Sequence, residues 1–117
     1  MNREEEILQS KCYVWFHNAY PGLRKMLFHV DNNSWNRIIG AKKKALGVNA
    51  GVSDLIFISQ GCVTFLEAKT ESGKQTPEQK EFMNKVTERG HEYIIFRTFE
   101  QFKIIIYART RDTLGVC

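Results

Sequence analysis

The chain has no long hydrophobic run. None of its apolar stretches approaches the roughly 18 residues needed to span a membrane. Its start, MNREEEILQSK, is acidic and then amphipathic, which is unlike a secretory signal. Cysteine is sparse: Cys12, Cys62 and Cys117 are odd in number and widely spaced, and no Cys-x-x-Cys pair exists. Neither a zinc site nor a disulfide framework is therefore expected, and a reducing cytoplasm is the simplest setting. Repeats, linkers and shifts of composition are also missing. A length of 117 residues then implies one domain, 1–117, with a modest single core.

What is present is the balance of a globular protein, 43% hydrophobic and 26% charged residues. The formal net charge is +4 and the sequence pI about 9.1. Cationic surface raises the local concentration of nucleic acid, so the charge gives mild support for a polyanionic partner.

The chain is organised around residues 51–69, GVSDLIFISQGCVTFLEAK. Two runs rich in β-branched and aromatic residues, 55–58 and 63–66, flank Gln60-Gly61, the pattern of an antiparallel hairpin. Asp54 opens the first strand, and Glu67 and Lys69 close the second. The reversal brings the start of one strand beside the end of the other. Residues two apart on a strand share a face, so Glu67 and Lys69 point the same way and Asp54 can join them. Two carboxylates and an ammonium at the end of an apolar hairpin are costly to bury without a purpose. A divalent metal would give the carboxylates one.

Around the hairpin, residues 3–19 read as a helix, with Ile7, Leu8, Cys12, Trp15, Phe16 and Ala19 at three- and four-residue spacing. Glu4, Glu5 and Glu6 fall in its first turn, where the helix dipole favours anions. Dipole compensation accounts for at least two of them, and the sharper reading has one reach the hairpin carboxylates. Residues 25–30 read as a strand, and its lone His29 is more simply structural than a ligand. Residues 35–46, WNRIIGAKKKAL, read as a short helix with a basic face. A solvated face and phosphate contact compete for Arg37, Lys42, Lys43 and Lys44. Their place just before a glycine-bounded stretch containing Asn49, and then Asp54, favours phosphate.

After Lys69 a polar loop leads to Thr76, which caps a helix with Pro77 at its first position and Gln79 three residues on. Gln79 serves as a cap partner or, if this turn overhangs the carboxylates, as a contact to substrate. Residues 92–97 read as a strand, reached by a crossover long enough to be parallel. Thr98 caps a last helix, whose rival is a strand through 103–107. Residues 110–117 read as a tail.

The quoted segments together, FHVDNN, AKKKALGVNAG, SDL, FLEAK, TPEQKEF and GHEYIIFR, with Asp54 thirteen positions before Glu67, resemble the PD-(D/E)XK nuclease superfamily. More narrowly they are similar to the VRR-NUC family of small nucleases, over about residues 5–107. The residue before the aspartate is Ser53, not proline, and the basic segment is lysine-rich where relatives often carry arginine. The resemblance implies an α/β restriction-endonuclease-like core, a mixed four-stranded sheet flanked by helices. It also implies a DNA endonuclease using Mg²⁺ or Mn²⁺, held by Asp54, Glu67 and the backbone carbonyl of Ala68. Lys69 would orient the attacking water, Gln79 would orient Lys69 or the phosphate, and Glu5 would order metal-bound water or a second metal. DNA, in particular branched DNA, is the expected partner, contacted through Arg37, Lys42, Lys43, Lys44 and Asn49. A homodimer, and the cytoplasm of a bacterium or phage-infected host, are expected by the same analogy. The competing readings are a nucleic-acid binder that keeps the fold without cutting, and an interaction domain in which Glu67 and Lys69 are a surface ion pair.

Overall fold

A computed structural model describes residues 2–30, 37–48 and 51–111. In chain order these form α1 (Arg3–Ala19), a 3-10 helix (Pro21–Met26), β1 (Leu27–His29), α2 (Arg37–Ala45), β2 (Leu55–Ser59), β3 (Cys62–Ala68), α3 (Pro77–Glu88), β4 (Glu92–Phe96) and α4 (Phe99–Thr110). The sheet runs β1-β2-β3-β4, with the first three strands antiparallel and β4 parallel to β3. The hairpin turns at Gln60-Gly61, where Gly61 takes a positive φ of 75° that most side chains disfavour. The β3–α3–β4 crossover is the parallel connection expected from its length.

Two helices, α1 and α4, cover one face of the sheet. Phe16 of α1 meets Phe57 of β2 edge-on at 5.5 Å between ring centroids, and Phe102 of α4 meets Phe96 of β4 at 5.1 Å. Cys12 lies in the same core, where burial pushes its thiol up to about 12. A thiol held protonated is no nucleophile. The opposite face belongs to α3, whose Phe82 lies 5.2 Å from Phe65 and 6.0 Å from Tyr93. Alternation along β3 puts Phe65 and Glu67 on this second face.

One local difference from the sequence reading, the length of the strand after Tyr20, and two further features, the division of the run 13–16 and the helix preferred over a strand at 103–107, have physical causes. The strand expected over 25–30 is shorter, because Pro21 nucleates a 3-10 turn that consumes the chain as far as Met26. The aromatic run 13–16 is divided: Phe16 is fully buried and Trp15 packs on the core, while Tyr13 and Val14 remain exposed. The β-rich stretch 103–107 is helical, because the Thr98 side chain caps α4 by accepting from the Gln101 N–H, and Phe102 and Ile106, four apart, are both buried.

Candidate active site

The β2–β3 register pairs Leu55 with Leu66, so its next step places Asp54 directly opposite Glu67. Hydrogen bonds hold both residues. The Ala68 N–H donates to Asp54 Oδ2 at 2.8 Å, and the Val30 N–H donates to the Asp54 carbonyl at 3.1 Å. Ser53 is buried and its hydroxyl donates to the Leu55 carbonyl at 3.0 Å. That local bond shapes the entry to the strand without a proline.

Glu67 is 1% exposed. Its Oε1 accepts from the Tyr93 hydroxyl, while its Oε2 is buried without a hydrogen-bond partner. The Lys69 ammonium stands 3.8 Å from that oxygen and is itself 8% exposed. The pair is thus buried and loosely engaged, not the surface ion pair of the second competing reading. Burial is the main cause pushing the carboxyls of Asp54 and Glu67 above their usual range, and Glu5 adds to both. The Ala68 N–H opposes the rise at Asp54, and the Tyr93 hydroxyl and Lys69 oppose it at Glu67. Tyr93 in turn is pushed up by burial and by Glu67.

Glu5 is 7% exposed, and its Oε2 accepts from the Asn2 side chain at 3.1 Å. It is the one of the three first-turn glutamates that is buried. Gly73 fits between Glu5 and Lys69: a Cβ there would stand 3.4 Å from Glu5 Oε2, 3.4 Å from Lys69 Cδ and 3.0 Å from Thr70 Oγ1. The loop after Lys69 therefore packs against these side chains, and Arg97 pins it by donating to the carbonyls of Thr70 at 2.6 Å and Gly73 at 2.8 Å.

Gln79 stands in the first turn of α3. Its side-chain oxygen accepts from the Thr76 N–H at 2.8 Å, completing a capping box, so that oxygen is engaged in holding the helix start. Gly51 packs against the same turn. Its φ is +85°, and a Cβ would fall 2.3 Å from the Glu78 carbonyl oxygen. Only glycine permits that approach, which fastens the chain just ahead of Asp54 to the start of α3.

The basic residues form a separate group. Lys42, Lys43 and Lys44 occupy the last turn of α2, with Lys42 and Lys44 exposed. Cations at a helix C-terminus also suit the dipole. Arg37 begins α2, but its side chain, like Asn49, lies outside the described residues. Thus Asp54, Glu67, Ala68, Lys69 and Glu5 are brought together, with Gln79 tied to its cap.

Three residues here escaped the sequence reading. Tyr93 and Arg97 follow from the parallel register, which pairs Phe65 with Tyr93 and Ala68 with Phe96. Knowing that register in advance would have set Tyr93 on the Glu67 face and Arg97 beside Lys69. His29 lies nearer the site than expected, its Nδ1 2.8 Å from the Asp54 carbonyl oxygen. Among the described residues, no three His, Cys, Asp or Glu side chains converge as a ready metal cluster.

The architecture is an α/β restriction-endonuclease-like fold, with a mixed four-stranded sheet flanked by helices. A solved structure described as a VRR_NUC domain protein shares it, with a TM-score of 0.79 and 21% sequence identity over 99% of this chain and 93% of that one. No family model and no curated protein matches the sequence. No described helix is long and apolar enough to cross a membrane.

Proposed function

We propose that the protein is a divalent-metal-dependent DNA endonuclease that hydrolyses phosphodiester bonds, prefers branched DNA and acts as a homodimer. The observation that carries this reading is the facing pair Asp54 and Glu67, with Lys69 buried alongside and one Glu67 oxygen lacking a hydrogen-bond donor. A buried polar atom without a partner costs about 1–3 kcal/mol. A cation fits where that oxygen, the Asp54 carboxylate and the Ala68 backbone meet. The donors are hard oxygens, which suit Mg²⁺ or Mn²⁺ better than zinc. Two carboxylates and a carbonyl leave the remaining ligands to water and phosphate, as Mg²⁺ sites usually do.

When bound, such an ion polarises a phosphate oxygen and acidifies water. The chain's own residues do the rest. Tyr93 and the Ala68 N–H each hold one carboxylate oxygen, fixing the direction of Glu67 and Asp54. Lys69 places a positive charge where negative charge grows on the phosphate, and its burial strengthens that attraction. Glu5 orders water at the rim. The capped start of α3, with Gln79, walls one side. Lys42, Lys43 and Lys44 attract the backbone of the DNA.

The deciding experiment incubates purified protein with duplex, single-stranded, flap and four-way-junction DNA, in Mg²⁺, Mn²⁺ or EDTA. Metal-dependent cuts in branched DNA are expected. Binding without cuts in either metal would instead establish the non-catalytic nucleic-acid binder. Paired cuts across a junction need two sites, which a two-fold dimer supplies. Ile7 and Val14 of α1 and Ile104 and Tyr107 of α4 are exposed apolar residues suited to that contact. Light scattering at micromolar concentration should give about twice 13.6 kDa. A monomer making paired cuts would refute the dimer. We assign the protein to the cytoplasm of a bacterium or phage-infected host, on the family analogy.

A further inference from the structure

Arg97, just after β4, and Arg109, in the last turn of α4, use their guanidinium groups differently. A guanidinium has five N–H donors, and its Nε and Nη2 side forms a parallel fork that fits two oxygens of a carboxylate or phosphate. Arg109 fills that fork with Glu92, from Nε at 2.7 Å and Nη2 at 2.5 Å, and turns Nη1 to the Ile105 carbonyl at 2.9 Å. Arg97 engages only Nη1, which donates to the carbonyls of Thr70 at 2.6 Å, Gly73 at 2.8 Å and Glu71 at 3.3 Å. Among the described residues, nothing accepts from its Nε or Nη2 and no carboxylate pairs with it. Neither nitrogen is sealed from solvent: the buried side-chain atoms left without a partner are Gln9 Oε1 and Glu67 Oε2.

This open fork stands beside the carboxylate site. The Lys69 N–H donates to the Phe96 carbonyl at 3.1 Å, which carries the β3–β4 pairing one step past Ala68 and Phe96 and sets Arg97 next to Lys69. Gly73, whose carbonyl Arg97 holds, packs in turn against Lys69: a Cβ there would stand 3.4 Å from Lys69 Cδ. One residue of loop thus separates the guanidinium from the Lys69 stem. Fastening the loop needs only the Nη1 end. The same bonds fix the plane of the group, so the fork is held ready before anything binds it. The charge of the site says what the fork is for. Asp54, Glu67 and Glu5 bring negative charge and Lys69 answers only part of it, a balance that repels a phosphate strand. A planar cation at the rim offsets that repulsion and matches two phosphate oxygens.

We propose that Arg97 is a substrate-binding residue whose Nε–Nη2 fork takes a phosphodiester of the cut strand, next to the one held at Asp54, Glu67 and Lys69. This assignment rests on the nuclease reading for its substrate class, and it deepens that reading by naming the contact that sets the strand over the carboxylates. Lys42, Lys43 and Lys44 attract the DNA backbone as a whole. Arg97 fixes one phosphate, and a fixed phosphate positions the strand without reading its sequence.

The test measures binding in EDTA, so that no strand is cut. A flap DNA carries one uncharged methylphosphonate at successive internal positions around the branch. Wild type should lose about tenfold in affinity at one position, the size of one charge-assisted contact. Arg97→Lys keeps the charge and a donor for the loop carbonyls but has no fork. It should bind unmodified DNA more weakly by a similar factor and show no further loss at that position. Gly73→Ala disturbs the same loop without touching the guanidinium and should keep the wild-type pattern. If wild type shows no such position, if Arg97→Lys keeps the pattern, or if Gly73→Ala loses it, Arg97 serves only the loop and the assignment falls. A second measurement needs no variant. Phenylglyoxal, which modifies open guanidinium groups, should label Arg97 in the free protein, read by mass spectrometry of its peptides, and bound DNA should block the label. An Arg97 that stays unlabelled, or is labelled alike with and without DNA, overturns the assignment equally. Metal-dependent cutting beside any of these negative results would leave the nuclease reading standing. A position-specific loss that Arg97→Lys removes, in a protein that cuts in neither metal, would keep the phosphate contact and discard the nuclease. Failure to bind any DNA would discard both.

Discussion

Glu92, at the start of β4, and Glu67, near the end of β3, each face a basic side chain. Arg109 donates to both oxygens of Glu92, from Nε at 2.7 Å and from Nη2 at 2.5 Å, and Thr64 adds a third bond at 3.0 Å. Its carboxyl is accordingly held below the usual range, chiefly by the bonds from Arg109. Glu67 is more deeply buried, keeps its lysine at 3.8 Å, leaves one oxygen without a donor and is pushed upward. The two differ in satisfaction, not in composition. A fold that can pair a glutamate as well as it pairs Glu92 does not leave Glu67 short for lack of means. Unmet demand in a buried charge marks the place where something else is meant to bind.

The strongest way to break this contrast is by activity. Lys69→Ala and Asp54→Ala should each lower metal-dependent cleavage at least about 10²-fold, the scale on which a charge-stabilising group contributes. DNA affinity should hold for Lys69→Ala, since one ammonium among 17 Lys and Arg adds little to the total phosphate attraction. Glu92→Gln should cut at the wild-type rate wherever it is folded. If gel assays show Glu92→Gln as inactive as Lys69→Ala, the distinction between a satisfied and an unsatisfied carboxylate carries no functional meaning.

Binding gives the next largest effect. Changing Lys42, Lys43 and Lys44 together to alanine should weaken DNA binding for every sequence. It should also flatten the slope of log affinity against log salt by about one for each phosphate contact removed. Titrations at several salt concentrations would read both. An unchanged slope would make the last turn of α2 a solvated face that serves only the helix dipole.

Much of this was legible in the residues. The hairpin, the Thr76 cap and the parallel crossover each have a local cause: a glycine turn, an N-cap with Pro77 and Gln79, and a connection of sufficient length. The meeting of Asp54 and Glu67 follows from the reversal at Gln60-Gly61, which sets the hairpin register, together with period-two geometry. What the sequence hid depends on register between distant strands. Tyr93 and Arg97 gain their roles only because β4 pairs with β3 in one particular alignment. His29 was set aside as a lone histidine, and it joins the site through a main-chain carbonyl that no side-chain pattern reveals. The fate of the aromatic run 13–16 also turned on how α1 rolls against the sheet.

Stability gives the smallest effect and the sharpest comparison, because the two glutamates should respond with opposite sign. Glu67 has a raised carboxyl in the folded chain, so its contribution is greatest at low pH and is lost as pH rises through the folded value. Without divalent metal at neutral pH, Glu67→Gln removes a buried charge while keeping an oxygen for the Tyr93 hydroxyl, and the melting temperature should rise. Glu92 is lowered, so its contribution is complete above the ordinary value of 4.5 and is lost as pH falls through the folded value. Glu92→Gln should therefore lower stability at neutral pH, by about 1–2 kcal/mol for a partly buried bidentate pair. The gap between wild type and Glu92→Gln should close as the solution is taken below pH 4.5, where wild type protonates Glu92 and releases Arg109. Thermal melts of both variants from acid to neutral pH, in EDTA, would test the pair. If Glu67→Gln also destabilises at neutral pH, Glu67 is a structural residue whose engagement with Lys69 outweighs its burial, and the cation demand inferred from its free oxygen disappears.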